Sequence, residues 1–461
     1  MKRLAMTVCA LCLLPATFRA YPSVYPTGTT IYKPDKTWSG YTMFDTPQQQ
    51  GAILVDMNGQ VVKRWKEIDA VPGPPRILPG GDIVGGTVPR RPHQEAIAVV
   101  QMDWNGTLVW KFERTDLVDV AGKGPVWASR QHHDWQREGS SVGYYAPDAR
   151  PLVSGGRTLI LAHKNVTKPA ITDKRLEDDY MMEVSWDGKV VWEWLASDHV
   201  DEFGFSEAAR NSIHRSVQWN EERKSADWLH INAASYVGPN RWYDAGDARF
   251  HPDNILFGSR AANIIAIIDR ASGAIVWKMG PDYTESKALA TLGQIIGQHN
   301  PHIIPKGLPG AGNLLVFDNG GASGYGTPNP GAPAGINVAG RFHSRVLEFN
   351  PTTFEKVWEY SLSAQVNFMF FSHYVSSVQR LPNGNTLVSE GAVGRIIELT
   401  PQKEIVWEYV SPFFGDENSV RTNRIYRAQR VPYDWVPQLA RPTERRVVPP
   451  DLGQFRIEPR P

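Results

Sequence analysis

Cysteine is nearly absent from this chain. Its two cysteines, Cys9 and Cys12, both fall within the first 20 residues. Beyond them there is no thiol to close a disulfide or to serve as a thiolate nucleophile. Charge of one sign is lacking too. Forty-nine basic and 48 acidic side chains leave a formal net charge of +1, which removes any global case for nucleic acid or an acidic partner. Glycine-rich nucleotide loops, P-loops and nucleophile elbows are missing, and GGTVPRR and GGASGYG are ordinary loops. Neither HxH nor HExxH occurs, so no close-spaced metal motif is present and neither metal nor cofactor is expected. Windows with helical periodicity are few.

The start of the chain reads as a leader. Lys2 and Arg3 precede the apolar run LAMTVCALCLLP, and Ala16 to Ala20 offer a small-residue cleavage site. The run is too short to span a bilayer comfortably. Residues 1–20 are therefore expected to be a signal peptide, with the mature protein periplasmic or secreted and without a stable membrane span. Residues 21–50 are turn-rich, with Pro22, Pro26, Pro34 and Pro47, and are expected to wrap the body.

What the chain has in quantity is tryptophan, 16 residues, beside 40 glycines and 35 prolines. Six of the tryptophans close a recurring unit: an apolar strand, a tight turn and a second strand. The copies are MNGQVVKRW, WNGTLVW, WDGKVVWEW, ASGAIVW, TTFEKVWEY and PQKEIVWEY, ending at or near Trp65, Trp110, Trp192, Trp277, Trp358 and Trp407. Glycine takes the turn in the first four, and Thr/Pro-type turns serve the last two. A second element alternates with the first: ILPGGDIVGG, VSGGRTLILAH, HPDNILFGSR, GAGNLLVFDN and LPNGNTLVSEG. With an apolar-patterned segment before it, each unit holds four strands. A single unit buries neither face alone, so the pattern predicts an all-β, six-bladed β-propeller of four-stranded antiparallel blades over 51–461. A sandwich or barrel would not need a tryptophan at one place in every hairpin. The first unit lacks its leading half, and the segment 420–461 is expected to complete it and close the ring. The stretch 283–296 reads as a stray helical or parallel piece in a loop.

The histidines share an address just upstream of the inner strands. They are His132 and His133 in SRQHHDWQ, His230 in DWLHINAASY, His299 and His302 in GQHNPHIIP, and His373 in FSHYVSSVQ. Inner strands face one another across a propeller's channel, so several imidazoles are expected to converge. Asp134, Asn232 and Asn300 travel with them as polar neighbours. Converging imidazoles suit either a transition metal or covalent and acid–base chemistry at a sulfuryl or phosphoryl centre. An arginine would then hold the anionic oxygens, and Arg260, at the end of NILFGSR, is the natural candidate. Arg345 and Arg395 occupy a different address.

At these segments the sequence resembles the bacterial arylsulfotransferases, periplasmic PAPS-independent enzymes on a six-bladed propeller. The matching pieces are HHDW (132–135), DWLHIN (227–232) joined to NILFGSR (254–260), IDRASGAIVWKMG (268–280), GQHN (297–300), SRVLEFNP (344–351) with VWEY (357–360), and SSVQRLPNGNTLVSEG (376–391). The resemblance implies ping-pong transfer of a sulfuryl group from an aryl sulfate donor to a phenolic acceptor. His299 would be the residue transiently sulfated, with His302 its rival in the same segment. His230 and Arg260 would handle the sulfate oxygens and the leaving phenolate. His133 would contact sulfate or orient the nucleophile, and Asn232, His302 and His373 would line the substrate site. The sequence departs from the better-known members by lacking their extra N-terminal dimer-supporting β-domain and their mature cysteine pair, which leaves monomer and homodimer both open. Two competing readings remain: a propeller hydrolase or lyase using the same histidines, with or without a metal, and a non-enzymatic binding or scaffold propeller.

Overall fold

Each tryptophan hairpin turns because its first turn residue caps the loop from within. Asp56, Asp103, Ser185, Asp269, Asn350 and Thr400 all accept a hydrogen bond from a backbone N–H two to four residues on. The chain must then pass through a left-handed residue. Glycine takes that position in four turns, as Gly59, Gly106, Gly188 and Gly273. In the last two, Phe354 and Lys403 adopt it instead, at φ 59° and 70°.

Residues 26–47, 50–68, 73–87, 95–326, 339–417 and 420–449 are described in a computed structural model. The leader at 1–20 lies outside them. Six antiparallel four-stranded sheets form a ring, a six-bladed β-propeller. From the inside outward, blade one is Ala428–Val431, Tyr41–Asp45, Ala52–Val55 and Val61–Trp65. Blade two is Arg76–Ile77, Ile83–Gly86, Val99–Met102 and Leu108–Phe112. Blade three is Gln131–Arg137, Thr158–Val166, Leu176–Val184 and Val190–Leu195. Blade four is Ile231–Tyr236, Ile255–Ser259, Ile264–Ile268 and Ile275–Met279. Blade five is His299–Ile303, Leu314–Asp318, Arg345–Phe349 and Lys356–Tyr360. Blade six is Ser377–Arg380, Thr386–Glu390, Arg395–Leu399 and Ile405–Val410.

Ring closure draws on both ends of the described chain. The inner strand of blade one, Ala428–Val431, pairs antiparallel with Tyr41–Asp45. The segment read as a wrap is therefore partly built into the sheets: Tyr41–Asp45 is a blade strand, and Gly28–Tyr32 adds a fifth strand outside Ile405–Val410 of blade six. The stray piece at 283–296 contains a short helix, Lys287–Leu292, capped by the Ser286 hydroxyl. A longer helix, Glu207–Ser216, fills part of the connection between blades three and four.

Apolar side chains fill the space between blades, as where Leu161 and Met181 meet Phe257, Ile264 and Ala266. At the rim the repeated indoles add a directed bond. The Nε1–H of Trp110, Trp192, Trp277, Trp358 and Trp407 donates to the turn carbonyl of the following hairpin, on Trp186, Arg270, Pro351, Pro401 and Met57 respectively, at 2.9–3.0 Å. Trp65 is the exception. Its Nε1 has no hydrogen-bond partner among the described residues, and its ring meets Trp104 edge-on at 5.5 Å instead.

Trp407 makes the bond that closes the ring and is fully buried, whereas Trp358 is partly exposed. Trp407→Ala is expected to cost about 3–5 kcal/mol, and Trp407→Phe, which removes chiefly the N–H, about 1–2 kcal/mol. Trp358→Phe should cost less than Trp407→Phe. Exposed Lys403 carries the left-handed strain without core contacts, so Lys403→Gly should stabilise by about 1 kcal/mol. Thermal unfolding of the four variants checks the order.

Candidate active site

Three inner strands begin with the same backbone irregularity. Pairing with the second strand breaks between Gln131 and Trp135, between Ile231 and Ala233, and between His299 and His302. At or beside each break one residue is left-handed: His133 at φ 53°, His230 at 50° and Asn300 at 54°. None is glycine, so each costs on the order of 1–3 kcal/mol, a strain that clusters at functional sites. Bulges of this kind re-aim side chains. The phase makes His133 and His230 equivalent positions. His299 stands one residue earlier in its blade, the place His132 takes in blade three, yet it reaches the same point.

The imidazoles converge. The rings of His133 and His230 meet edge-on, with centroids 4.8 Å apart. His299 lies close enough for Arg260 and His230 to oppose its protonation, and it bears in turn on His133. Each ring is held by one nitrogen. Asn319 gives both amide hydrogens away, to the carbonyls of Ser372 and Val375 at 2.6 and 2.9 Å. Its Oδ1 therefore faces His299 Nδ1, 2.8 Å away, as an acceptor. His299 must donate from Nδ1, which leaves a bare Nε2 with no partner among the described residues. His230 Nδ1 lies 2.6 Å from Asp227 Oδ2, a carboxylate–imidazole dyad. His133 Nδ1 lies 2.6 Å from Nδ1 of its neighbour His132.

Charge around these rings is uneven. No side chain among the described residues pairs with the Arg260 guanidinium, whose field reaches Asp227, His299 and His373. Beneath, the oxygens of buried Asp134 accept from Arg76 at 2.6 Å, Arg427 at 2.8 Å and the Ala234 N–H at 3.2 Å. Burial would raise the Asp134 carboxyl, but Arg427 and Arg76 outweigh it and hold the group below the usual carboxylate range. Arg427 and Tyr426 also donate to the Asn232 carbonyl. Burial keeps His299 and His133 well below the ordinary imidazole range. For His299 the Arg260 charge adds to this, and for His133 the neighbouring His132 and His230 do.

Of the residues singled out in the sequence, His133, His230, His299 and Arg260 are brought together. His373 is exposed near Arg260, against Tyr374 and Phe371. His302 and Asn232 serve other contacts. Both nitrogens of His302 are taken, by the Asn300 carbonyl at 2.9 Å and the Tyr144 hydroxyl at 2.8 Å, and burial lowers its pKa to about 4. The Asn232 amide donates to Gln298 O, tying blade four to blade five. Arg345 holds Asp318 and the carbonyls of residues 292–294, and Arg395 bridges Glu390 and Glu408. Asp227 and Asn319 orient the two key imidazoles and were not singled out. Asp227 carried a signal three residues before His230 in DWLH; Asn319 carried none beyond closing a strand.

Behind the channel lies a second, fully buried cluster. One atom each of His132, His163 and Asp179 lie within 4.8 Å of one another. The two imidazoles are stacked, with centroids 3.7 Å apart and planes at 19°. A single ion cannot lie in both ring planes, so the group is a stack rather than a coordination sphere. Elsewhere, a cavity of about 300 Å³ opens where the inner strands of blades three to five leave the channel, lined by Arg157, Tyr236, Pro239 and Lys306. It is at the opposite end from the histidines.

Ring-nitrogen NMR should separate the histidines by state. His299 and His133 should remain neutral at pH 6. His163, raised to about 9 by Glu177, Glu95 and Asp179 against the cost of burial, should still be protonated at pH 8.

No curated protein sequence matches the chain. Solved structures similar to it include a protein of unknown function from Bacteroides caccae, at 10% identity over 85% of this chain and 98% of that one, TM-score 0.44. Virginiamycin B lyase from Staphylococcus aureus aligns at 11% identity over 83% and 84%, TM-score 0.36. The family model described as Arylsulfotransferase (ASST) matches residues 152–411, more than half of the chain and the segments carrying His230, Arg260 and His299. The chain belongs to the arylsulfotransferase family.

Proposed function

We propose that the protein moves a sulfuryl group from an aryl sulfate to a phenolic acceptor in two steps, with His299 carrying the group between them. One observation carries the reading. A neutral imidazole is fixed by Asn319 with its bare Nε2 beside an arginine that has no other partner among the described residues. Family membership supports aryl sulfotransfer in general.

In the first step Nε2 of His299 attacks sulfur, the sulfur–oxygen bond to the aryl group breaks, and an aryl oxide leaves. Arg260 meets the sulfuryl oxygens through its planar fork, and His230, oriented by Asp227, meets the oxygens and the departing phenolate. A proton must reach the leaving oxygen. In the second step the oxygen of a phenol attacks sulfur, the N–S bond breaks with its electron pair returning to His299 Nε2, and the phenol gives up its proton as the new aryl sulfate leaves. No nucleotide enters the sequence. We place this activity in the periplasm or outside the cell, on the basic and apolar start of the chain at residues 2–15. N-terminal sequencing of the exported protein should find a start near Tyr21.

A chromogenic aryl sulfate, offered with and without added phenol, tests the transfer. Turnover should depend on the phenol, survive a chelator and vanish in His299→Ala. A sulfuryl-mass adduct should map to the His299 peptide and persist in His302→Gln. Phenol-independent or chelator-sensitive release would mark a hydrolase, and no turnover with His299 intact a binding scaffold. Arg260→Ala should lower kcat/KM by about 100- to 1,000-fold, and Arg260→Lys should not restore it.

The depressed His299 pKa has a direct sign. The nucleophile is neutral above its own pKa, which lies well below 6.5. Adduct formation should therefore keep most of its pH 7.5 rate at pH 5.5, where an ordinary imidazole would be about 90% protonated. Rapid-quench measurement of the adduct at the two pH values checks this.

A further inference from the structure

The transfer needs one proton at the leaving oxygen in the first step and must remove one from the acceptor in the second. Behind His133 the structure holds a line of groups suited to keep it. His132 and His133 face each other Nδ1 to Nδ1 at 2.6 Å, rings perpendicular. Only one proton fits between two such nitrogens, so the tautomers of the two rings are locked together. Beyond His132, its Nε2 faces Asp179 Oδ1 at 3.7 Å, about 0.8 Å past a normal hydrogen bond. Both atoms are fully buried and neither makes a hydrogen bond of normal geometry among the described residues, although the Ala162 carbonyl lies near enough to favour a proton on the His132 ring. The other oxygen, Asp179 Oδ2, accepts the Ile231 N–H at 3.0 Å.

We propose that Asp179, His132 and His133 form a buried proton relay whose single mobile proton turns His133 Nε2 from donor in the first half-reaction into acceptor in the second. This rests on the transfer reading above and supplies the proton that reading requires. In the loaded state Asp179 Oδ1–H faces His132 Nε2, His132 Nδ1–H donates to His133 Nδ1, and His133 carries its proton on Nε2 toward the channel. When the aryl oxide departs it takes that proton. His133 Nδ1 takes the proton of His132 Nδ1, His132 Nε2 takes that of Asp179, and Asp179 is left a carboxylate. The acceptor phenol then gives its proton to His133 Nε2, and each shift reverses. No proton is gained or lost over the cycle, and no outside base is needed.

The surroundings suit storage of a proton. His163 stacks on His132 while its Nδ1 binds Glu95 at 2.8 Å. Arg130 lies 3.7 Å from both Glu95 and Glu177, and Arg223 lies 2.8 Å from Glu177. Glu95 and Glu177 are thus matched by fixed cations; the charges of Glu95 and Asp227 also reach His132, and Asp179 is the acid in line with its Nε2. Burial raises the Asp179 carboxyl well above the usual range, with Asp227 and Asp178 adding to it and His163 opposing. His132 and Asp179 touch no substrate and act through His133.

The test compares two donors, 4-nitrophenyl sulfate and phenyl sulfate, in the full-length protein and in Asp179→Asn, which keeps an acceptor for Ile231 but cannot release a proton. Nitrophenolate is the weaker base and leaves with little help; phenolate needs a proton. Asp179→Asn and His132→Gln should slow the phenyl sulfate reaction at least about tenfold more than the 4-nitrophenyl sulfate reaction. Equal slowing with both donors would mean a packing role and would overturn the relay. The His299 adduct, read by mass in the same samples, reports separately on the transfer. Adduct present with an unchanged donor ratio sinks the relay and leaves the transfer standing. A shifted ratio without an adduct sinks the covalent route and leaves the relay.

Discussion

Neighbouring blades are joined by more than apolar contact. An indole on the outer strand of one hairpin donates its N–H to the turn carbonyl of the next, and five of six hairpins repeat the bond. Apolar packing alone is tolerant of sliding, because it rewards area rather than position. A hydrogen bond to one carbonyl is not. It sets the angular step and height at five of the six blade junctions, and at the sixth Trp65 meets Trp104 edge-on instead. The Asx- and Ser/Thr-capped turns serve this purpose, since they hold the accepting carbonyl in a fixed place.

That registry is what allows strain at the inner edge. His133, His230 and Asn300 sit in a backbone region that side-chain-bearing residues avoid, and a loose scaffold would let them relax. Held in place, they aim imidazoles from separate blades at a common point. The polar network does the finer work. Asn319 spends both amide hydrogens on carbonyls and so dictates which nitrogen of His299 is bare. The same kind of logic couples His132 to His133. Tautomers here are consequences of hydrogen-bond accounting several residues away.

The legible part of the molecule was the part with period. Tryptophan at one place in six hairpins showed six blades, and histidines upstream of inner strands pointed to the imidazoles that meet at the channel. What lacked period was hidden. His302 looked as eligible as His299 in GQHNPH, because nothing local reveals that Tyr144, from another blade's loop, caps it. Asn232 looked like a channel residue beside His230, but its amide spans to Gln298. Arg427 and Tyr426 reach the site from nearly 200 residues away, and Asn319 is an ordinary strand-end asparagine until its three partners are seen. The segment 21–50 read as wrapping because of its prolines, while Tyr41–Asp45 pairs on both sides as a blade strand. The shift of His299 by one residue relative to His133 and His230 is a matter of backbone phase, which residue spacing does not report.

The strand Ala428–Val431 is the last blade strand in the chain and the innermost of the first blade. Immediately before it, Tyr426 and Arg427 reach the Asn232 carbonyl, and Arg427 reaches Asp134. The seam of the ring and the floor of the channel are thus the same few residues. Arg427 joins Arg76 on Asp134 only when the seam is sewn, so five blades stacked without it leave the histidines without that floor. An open ring is an unarmed one: the floor of the channel is complete only when the ring is.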